Sequence, residues 1–190
     1  MVKIKFPDGA IRSYESGLTP YEIASSISSG LARSIISSDF NGQKIETTTQ
    51  IFDDGNLTFY TWRDNEGKEA FWHSTAHLLA QVLEEFYDGI KLTIGPAISN
   101  GFYYDVDFGE HSMSEKDFLK IEKRMIEIAR EKHEFKLRSI SKKEALDFYK
   151  KNKNQYKTEL IENLKDGEIT FCDHDNFTDL CRGGHIPHTG

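Results

Sequence analysis

The stretch "FWHSTAHLLAQVLEEFY", residues 71–87, decides how the chain is organised. Its large apolar side chains recur every three or four positions, a spacing that places them on one face of an α-helix. These side chains are Trp72, Ala76, Leu79, Leu83 and Phe86. Gly89 follows the stretch, and glycine is favoured just after the end of a helix. The sequence therefore predicts an amphipathic helix here, with one face buried.

Two histidines lie on a flank of this predicted helix. His73 and His77 are four positions apart, so about one helical turn brings their rings together. This arrangement is typical of the wall of a functional site. The alternative is that both are incidental helical histidines.

The residues before this helix predict a small α+β domain. Residues 2–6 alternate apolar and polar side chains, and a Pro-Asp-Gly turn leads into a return strand, which indicates a β-hairpin. Thr19 and Glu22 form a capping-box pattern around Pro20, which indicates the start of a helix. Its predicted buried stripe consists of Ile23, Ile27 and Leu31. Further short strands are predicted as far as residue 62.

A polar stretch at residues 63–68 separates this unit from the rest of the chain. We place a domain boundary there, giving domains at 1–62 and 63–190. The second domain is predicted to be α+β, with helices and an antiparallel sheet. Helices are expected to begin after Ser114 and Ser141. The predicted inner face of the first of these comprises Phe118, Ile121, Met125, Ile128 and Ala129.

A second group of reactive side chains lies in "FTDLCRGGHIP", residues 177–187. Cys181 and His185 share a glycine-containing turn, directly after Asp179. Together with the helical pair, the cysteine and histidines offer ligands that zinc accepts in a tetrahedral site. They equally provide imidazoles that order and deprotonate a water without any ion. The residues alone leave both chemistries open.

Composition limits the classes of protein that remain. The chain of 190 residues carries 24 basic and 31 acidic residues, a net charge of −7, which argues against indiscriminate binding to nucleic acid. A lysine-rich stretch at residues 142–157 is a solvated face or a local phosphate contact. Signal-peptide and membrane-spanning patterns are absent, and two cysteines are too few for a disulfide scaffold. We therefore expect a cytoplasmic protein with cysteine thiols and no membrane partner.

Residues 2–62 resemble the β-grasp module called TGS. The stretches "FWHSTAHLLAQ", "TIGPAISNGFYYDVD" and "FTDLCRGGHIP" resemble the editing domain of bacterial-type threonyl-tRNA synthetases. The resemblance implies a β-grasp domain followed by an editing domain, which we expect to continue beyond Gly190. It also implies hydrolysis of mischarged seryl-tRNA(Thr), within a parent ligase that attaches threonine to tRNA(Thr) with ATP.

The resemblance further implies which residues form the site. His73, His77, Cys181 and His185 would line it, and Lys157 and Asp179 would add polar contacts. Substrate contacts are expected from Tyr104, Asp179 and Arg182. Tyr103 and Tyr104 are adjacent, so only one of them faces a pocket if this segment is extended. No metal is expected at these residues. Gly184 stands where the motif usually has proline, which makes this turn looser.

The implied partners are tRNA(Thr) and its 3′-aminoacyl ester. No cofactor is expected in this fragment. ATP, magnesium and a zinc ion belong to a catalytic core outside it, through which the parent enzyme is expected to form a homodimer. Three alternatives stay open: a non-catalytic module that binds tRNA or protein, a zinc-dependent aminoacyl-ester hydrolase, and a stringent-response protein that shares the TGS unit.

Overall fold

The computed structural model describes all residues from 1 to 190, which form two compact units. The first comprises Met1–Phe71 and Gly183–Pro187, and the second comprises Trp72–Arg182 and His188–Gly190. The domain boundary that the sequence predicts between residues 62 and 63 stays a prediction. None of the helices is both long enough and apolar enough to span a lipid bilayer.

The first unit is a mixed five-stranded sheet with short helices, as the sequence predicted for an α+β fold. Its elements in chain order are β1 (Val2–Lys5), β2 (Ile11–Tyr14), α1 (Pro20–Ile27), α2 (Ser29–Ser34), β3 (Ile35–Phe40), β4 (Gln43–Ile45) and β5 (Gly55–Thr61). The strand order is β2-β1-β5-β3-β4. Strands β1 and β5 pair in parallel, whereas the other neighbours are antiparallel.

The predicted hairpin and helix start of the first unit are confirmed. Val2 pairs with Tyr14 across β1 and β2. The Thr19 hydroxyl accepts a hydrogen bond from the backbone of Glu22, whose carboxylate accepts one from the backbone of Thr19. Ile23 is fully buried and packs in one apolar cluster with residues from β1 and β5. The alternating strand and the capped helix thus meet in a single core.

The single helix expected to run from Pro20 to Leu31 is wrong. Ser28 takes an extended conformation, with φ −163° and ψ 147°, ending α1 and capping α2. Its hydroxyl accepts a hydrogen bond from the backbone of Leu31 at 3.0 Å. A serine satisfies backbone donors at a helix start better than in a helix interior, so the chain breaks there.

Helix α3 (Asn65–Phe86) begins six residues before the stretch that predicted it. Asp64 precedes it and accepts hydrogen bonds from the backbone and hydroxyl of Thr61 at 2.7 and 2.9 Å. Gly67 lies directly against this turn: a Cβ atom there would approach the Thr61 carbonyl oxygen to 2.1 Å. Residues 65–68 of the polar stretch therefore form the first turn of the helix, where a glycine permits the close approach.

The second unit combines helices with short antiparallel strands. After the remainder of α3 its elements are β6 (Lys91–Leu92), β7 (Ala97–Ile98), β8 (Gly101–Phe102), β9 (Val106–Asp107), α4 (Glu115–Glu131), β10 (Lys136–Ser139), α5 (Lys142–Lys151), α6 (Gln155–Glu162), β11 (Thr170–His174) and β12 (Phe177–Leu180). Its largest sheet is antiparallel, in the order β10-β11-β12. The predicted antiparallel sheet and both helix starts are confirmed.

Two apolar clusters hold the second unit. One packs α3 against α4 and includes Leu83 and Ile128, and the other packs α5 and α6 against Phe171 of β11. The inner face predicted for α4 is correct at Ile121 and Ile128, which are buried, and wrong at Phe118, which is 46% exposed. Phe118 lies in the first turn of α4, before the helix packs against its neighbours.

Candidate functional site

The two histidines predicted to share one flank of α3 do so. Their Nε2 atoms lie 3.3 Å apart, and their ring centroids lie 5.0 Å apart. His77 is buried, with 3% of its surface exposed, whereas His73 is half-buried. The α-helical repeat explains the pairing, because side chains four positions apart stand one above the other.

Strand β12 delivers the cysteine to these rings. The backbone of Cys181 donates to the carbonyl oxygen of Thr170 at 3.0 Å, which extends the ladder one residue beyond β12. The buried Sγ atom of Cys181 lies 3.4 Å from Nε2 of His73. We call His73, His77 and Cys181 the histidine–cysteine cluster. Residues 108 positions apart in the sequence thus meet at one point.

The three ligand atoms of the histidine–cysteine cluster suit two chemistries. They lie within 4.8 Å of one another. In a tetrahedral zinc site, bond lengths of about 2.1 Å to nitrogen and 2.3 Å to sulfur give separations of roughly 3.4 Å between nitrogens and 3.6 Å between nitrogen and sulfur. Without a metal, Nε2 of His73 hydrogen bonds to His77 or to Cys181, as donor or acceptor according to the tautomer of the ring.

Aromatic rings surround the inner side of His77. Its ring lies 6.1 Å from Phe177, 6.4 Å from Phe135 and 6.3 Å from His174, measured between centroids. His174 is itself buried in β11, and its ring lies 4.8 Å from that of Phe135. The apolar wall therefore leaves His73 as the imidazole of the cluster with the greater exposure to solvent.

A second polar group lies next to the histidine–cysteine cluster along the same strand. Asp179 is 4% exposed, and its carboxylate accepts hydrogen bonds from Tyr104 at 2.8 Å and Tyr149 at 3.1 Å. It also pairs with the ammonium group of Lys157 at 2.8 Å. We call Tyr104, Tyr149, Lys157 and Asp179 the aspartate cluster. Because side chains two positions apart on a strand face the same side, Asp179 and Cys181 face one side of the sheet.

Both phenols in the aspartate cluster are held in their neutral form. Burial, followed by the negative charge of Asp179, raises the pKa of Tyr104 and of Tyr149 well above the ordinary phenol value. The hydroxyls therefore remain donors to the carboxylate. Helix α6 fixes the lysine, since Asn154 caps its first turn by accepting from the backbone of Lys157 at 3.1 Å.

The remaining predicted residues are placed differently. Tyr104 points to Asp179 while its neighbour Tyr103 is 46% exposed, as expected if only one faces inward. Arg182 is exposed. His185 is fully buried in the first unit, where its Nδ1 atom lies 2.9 Å from the carboxylate of Glu46.

Sequence reasoning missed several polar residues that hold the predicted ones. Tyr149 carried one signal, because it follows Ala145 at helical spacing on the buried face of α5. Glu46 and His174 carried none, because each depends on a residue from a distant part of the chain.

Comparison with known proteins gives one domain and a set of relatives. Residues 2–61 match the TGS domain. The whole chain is 62% identical over 190 residues to the threonine–tRNA ligase of Flavobacterium psychrophilum and 64% identical to that of Flavobacterium johnsoniae, covering 29% of each. It is 50% identical to the threonine–tRNA ligase of Cytophaga hutchinsonii, covering 30% of it. The chain therefore spans less than a third of the length of these relatives.

Proposed function

Because this chain belongs with the amino-terminal region of the threonine–tRNA ligases, we propose that it hydrolyses seryl-tRNA(Thr) and so corrects mischarging. The observation that carries the proposal is the convergence of His73, His77 and Cys181 at one half-buried point. The proposed partner is tRNA(Thr) with its 3′-aminoacyl ester, and the proposed compartment is the cytoplasm.

The physical reason for such a reaction is the similarity of the two amino acids. Serine keeps the hydroxyl and amino groups of threonine and lacks one methyl group. A missing methyl is worth only about 1–3 kcal/mol of discrimination in a binding pocket. A site that accepts the smaller seryl ester and excludes the larger threonyl ester would supply the remaining selectivity.

In the proposed reaction, His73 handles the proton. Its Nδ1 atom takes a proton from a water as the water oxygen attacks the ester carbonyl carbon. The proton then passes to the ribose oxygen as the bond between that oxygen and the carbonyl carbon breaks. His73 suits this role because it is half-buried, while His77 behind it is buried among aromatic rings. The Nε2 atom, which carries the proton of the neutral ring, would donate to His77 or to Cys181 and so orient the His73 ring.

The aspartate cluster has a positioning role in this proposal. Both oxygens of Asp179 already accept hydrogen bonds, one from Tyr104 and the other from Tyr149 and Lys157. A substrate ammonium group would have to compete with Lys157, whose side chain is 3% exposed. We therefore assign Asp179 and Lys157 to holding the strand that carries Cys181.

Release of amino acid from two charged tRNAs tests the proposal. The chain is incubated with seryl-tRNA(Thr) and with threonyl-tRNA(Thr) at enzyme concentrations above those of the RNA, and loss of each ester is followed. Selective loss of the seryl ester supports editing. Equal inertness towards both esters, with the RNA bound, would instead identify a binding module.

A zinc-dependent hydrolase is a second candidate, favoured by the separations of 3.3 and 3.4 Å within the histidine–cysteine cluster. A bound zinc would supply an activated water from the same three ligands and an open fourth position. Elemental analysis of chain purified without added metal separates the two candidates. Stoichiometric zinc that disappears in Cys181→Ala would establish the metal enzyme. Zinc below one tenth of an equivalent, with seryl ester still hydrolysed, would establish the reaction by ordered water.

A further inference from the structure

A buried carboxylate of the first unit is organised around one histidine. Glu46 follows β4 directly and is 5% exposed. Its Oε1 atom lies 2.9 Å from Nδ1 of His185 and accepts the backbone N–H of Gly184 at 3.1 Å. Its Oε2 atom accepts the backbone N–H of His185 at 2.9 Å. Three groups of one short segment thus converge on a single side chain.

The backbone around Glu46 is held by the sheet and its turn. Ile45, the preceding residue, pairs with Ser38 of β3, and its carbonyl oxygen accepts from the Ser38 hydroxyl at 3.1 Å. The Glu46 carbonyl oxygen accepts from the backbone of Thr49 at 3.0 Å, and the Thr47 carbonyl oxygen accepts from that of Tyr21. The position of the carboxylate is therefore fixed by the first unit itself.

The segment that carries His185 has a backbone suited to this contact. Gly183 and Gly184 both have positive φ, 84° and 85°. Proline cannot adopt such a φ and has no N–H to donate, so a proline at position 184 would lose the Glu46 contact. The positive φ thus favours glycine at this turn, and the hydrogen bond to Glu46 excludes proline.

The three contacts select the tautomer of the neutral imidazole. Both backbone N–H groups are obligatory donors, so they stabilise Glu46 as an acceptor carboxylate. An acceptor facing Nδ1 requires the proton of a neutral ring to reside on Nδ1. The lone pair is then on Nε2, the ring atom on the opposite side from Glu46.

We infer that Glu46 is the positioning residue for His185: it fixes the imidazole orientation and selects the tautomer with Nδ1–H and an acceptor at Nε2. This inference rests on the proposed function for its catalytic meaning, because only the sequence motif assigns His185 to the editing site. On the proposed function, Glu46 of the first unit acts in the reaction only through His185.

The first test is spectroscopic and needs no activity. Two-dimensional ¹H–¹⁵N spectra of histidine-labelled chain report which ring nitrogen of His185 carries the proton, with His185→Asn providing the assignment. The Nδ1–H tautomer is expected. A neutral His185 with its proton on Nε2 in the unaltered chain would overturn the inference, whatever the chain does to seryl-tRNA.

The second test compares three variants. In Glu46→Gln one carboxylate oxygen becomes an NH₂ group, which cannot accept from the backbone N–H groups, so loss of the single tautomer is expected. The rate constant for seryl-tRNA hydrolysis should fall roughly 10–100-fold with KM little changed, as for other residues that orient a reacting side chain. Glu46→Asp, which keeps the charge, should restore part of both properties.

The matched control is Glu69→Gln. Glu69 lies in the same unit, its side chain is 55% exposed, and it pairs with Lys44 at 2.7 Å. It should leave the tautomer and the rate unchanged. A folded Glu46→Gln chain with the original tautomer and rate would overturn the inference. If the unaltered chain hydrolyses no seryl-tRNA, the proposed function fails while the spectra still decide the role of Glu46.

Discussion

The histidine–cysteine cluster and the aspartate cluster face the same side of the second unit's sheet and differ in how their polar atoms are used. In the aspartate cluster, both oxygens of a buried carboxylate receive donors whose roles are fixed: two phenols and an ammonium group. In the histidine–cysteine cluster, two imidazoles and a thiol lie at 3.3 and 3.4 Å, and each of them can give or take a proton.

This difference gives the two neighbouring clusters different roles: the aspartate cluster stabilises the fold, and the histidine–cysteine cluster is suited to the reaction. A group whose hydrogen bonds all have a single arrangement holds the backbone in place and resists change. Groups that exchange roles, at a point where one ring is half-buried, are suited to moving a proton. Substitutions in the aspartate cluster should therefore reduce stability, and those in the histidine–cysteine cluster should reduce activity.

The largest effect is expected for His73→Ala. The rate of seryl-tRNA hydrolysis should fall about 10²- to 10⁴-fold, because a general base contributes this much. The free energy of unfolding should change by about 1 kcal/mol or less, since the residue is half-buried. Single-turnover kinetics and urea denaturation measure the two quantities. His111→Ala, which alters an exposed histidine of the same unit, is the control. Retained hydrolysis in His73→Ala would remove this residue from the reaction.

Asp179→Ala tests the other half of the comparison. Removing the carboxylate leaves the ammonium group of Lys157 buried and without its partner, which should lower the free energy of unfolding by about 3–5 kcal/mol. Urea denaturation gives this value. Asp147→Ala, at an exposed position of α5, should change it by about 0.5 kcal/mol or less. A loss in Asp179→Ala no greater than that of the control would mean that the aspartate cluster does not hold the fold.

Local sequence signals predicted the elements on which both clusters are built. Thr19 and Ser141 marked helix starts because a capping box is satisfied within four residues. His73 and His77 were paired correctly because the helical repeat alone sets their separation. Such features depend on neighbours in the chain, which a single sequence displays directly.

The partners of the predicted residues depend on topology, which the sequence does not display. Tyr149 meets Asp179 across 30 positions, and Glu46 meets His185 across 139. The sequence alone does not distinguish a carboxylate or a phenol that is exposed at the surface from one that contacts a distant segment. The prediction of one continuous helix through Ser28 failed for a related reason. Serine occurs both inside helices and as a helix cap, so its presence in the sequence does not show a break.

Tyr149→Phe should have a smaller effect than loss of Asp179, because the ion pair with Lys157 remains. The variant removes the hydrogen bond that the phenol donates to Asp179 and the one that it accepts from the backbone of Leu180, which still donates to Asp179. A loss of about 1.5–3 kcal/mol is expected at pH 7. The raised pKa of Tyr149 means that the folded chain retains this proton above pH 10 while the unfolded chain releases it. This phenol therefore costs up to about 1.4 kcal/mol of stability per pH unit above 10.

The Phe variant lacks that cost, so the stability difference from the unaltered chain should shrink as the pH rises. Urea denaturation at pH 7, 10 and 11 measures it. Tyr21→Phe, at a position that is 47% exposed, should show no such convergence. A difference that stays constant across this range would contradict the burial of a neutral phenol beside Asp179.

The smallest effect is expected for Cys181→Ser, which tests whether sulfur takes part in the reaction. Serine is nearly isosteric, and its hydroxyl gives and accepts a proton as the thiol does at 3.4 Å from His73. If Cys181 only orients the ring, hydrolysis of seryl-tRNA should fall less than tenfold. A thiolate nucleophile or a zinc ligand would be lost with sulfur, and hydrolysis would then fall to the level of His73→Ala. Because Asp179 two residues earlier still anchors the strand, the free energy of unfolding should change by only about 1 kcal/mol, so a large loss of rate would report on chemistry and not on folding.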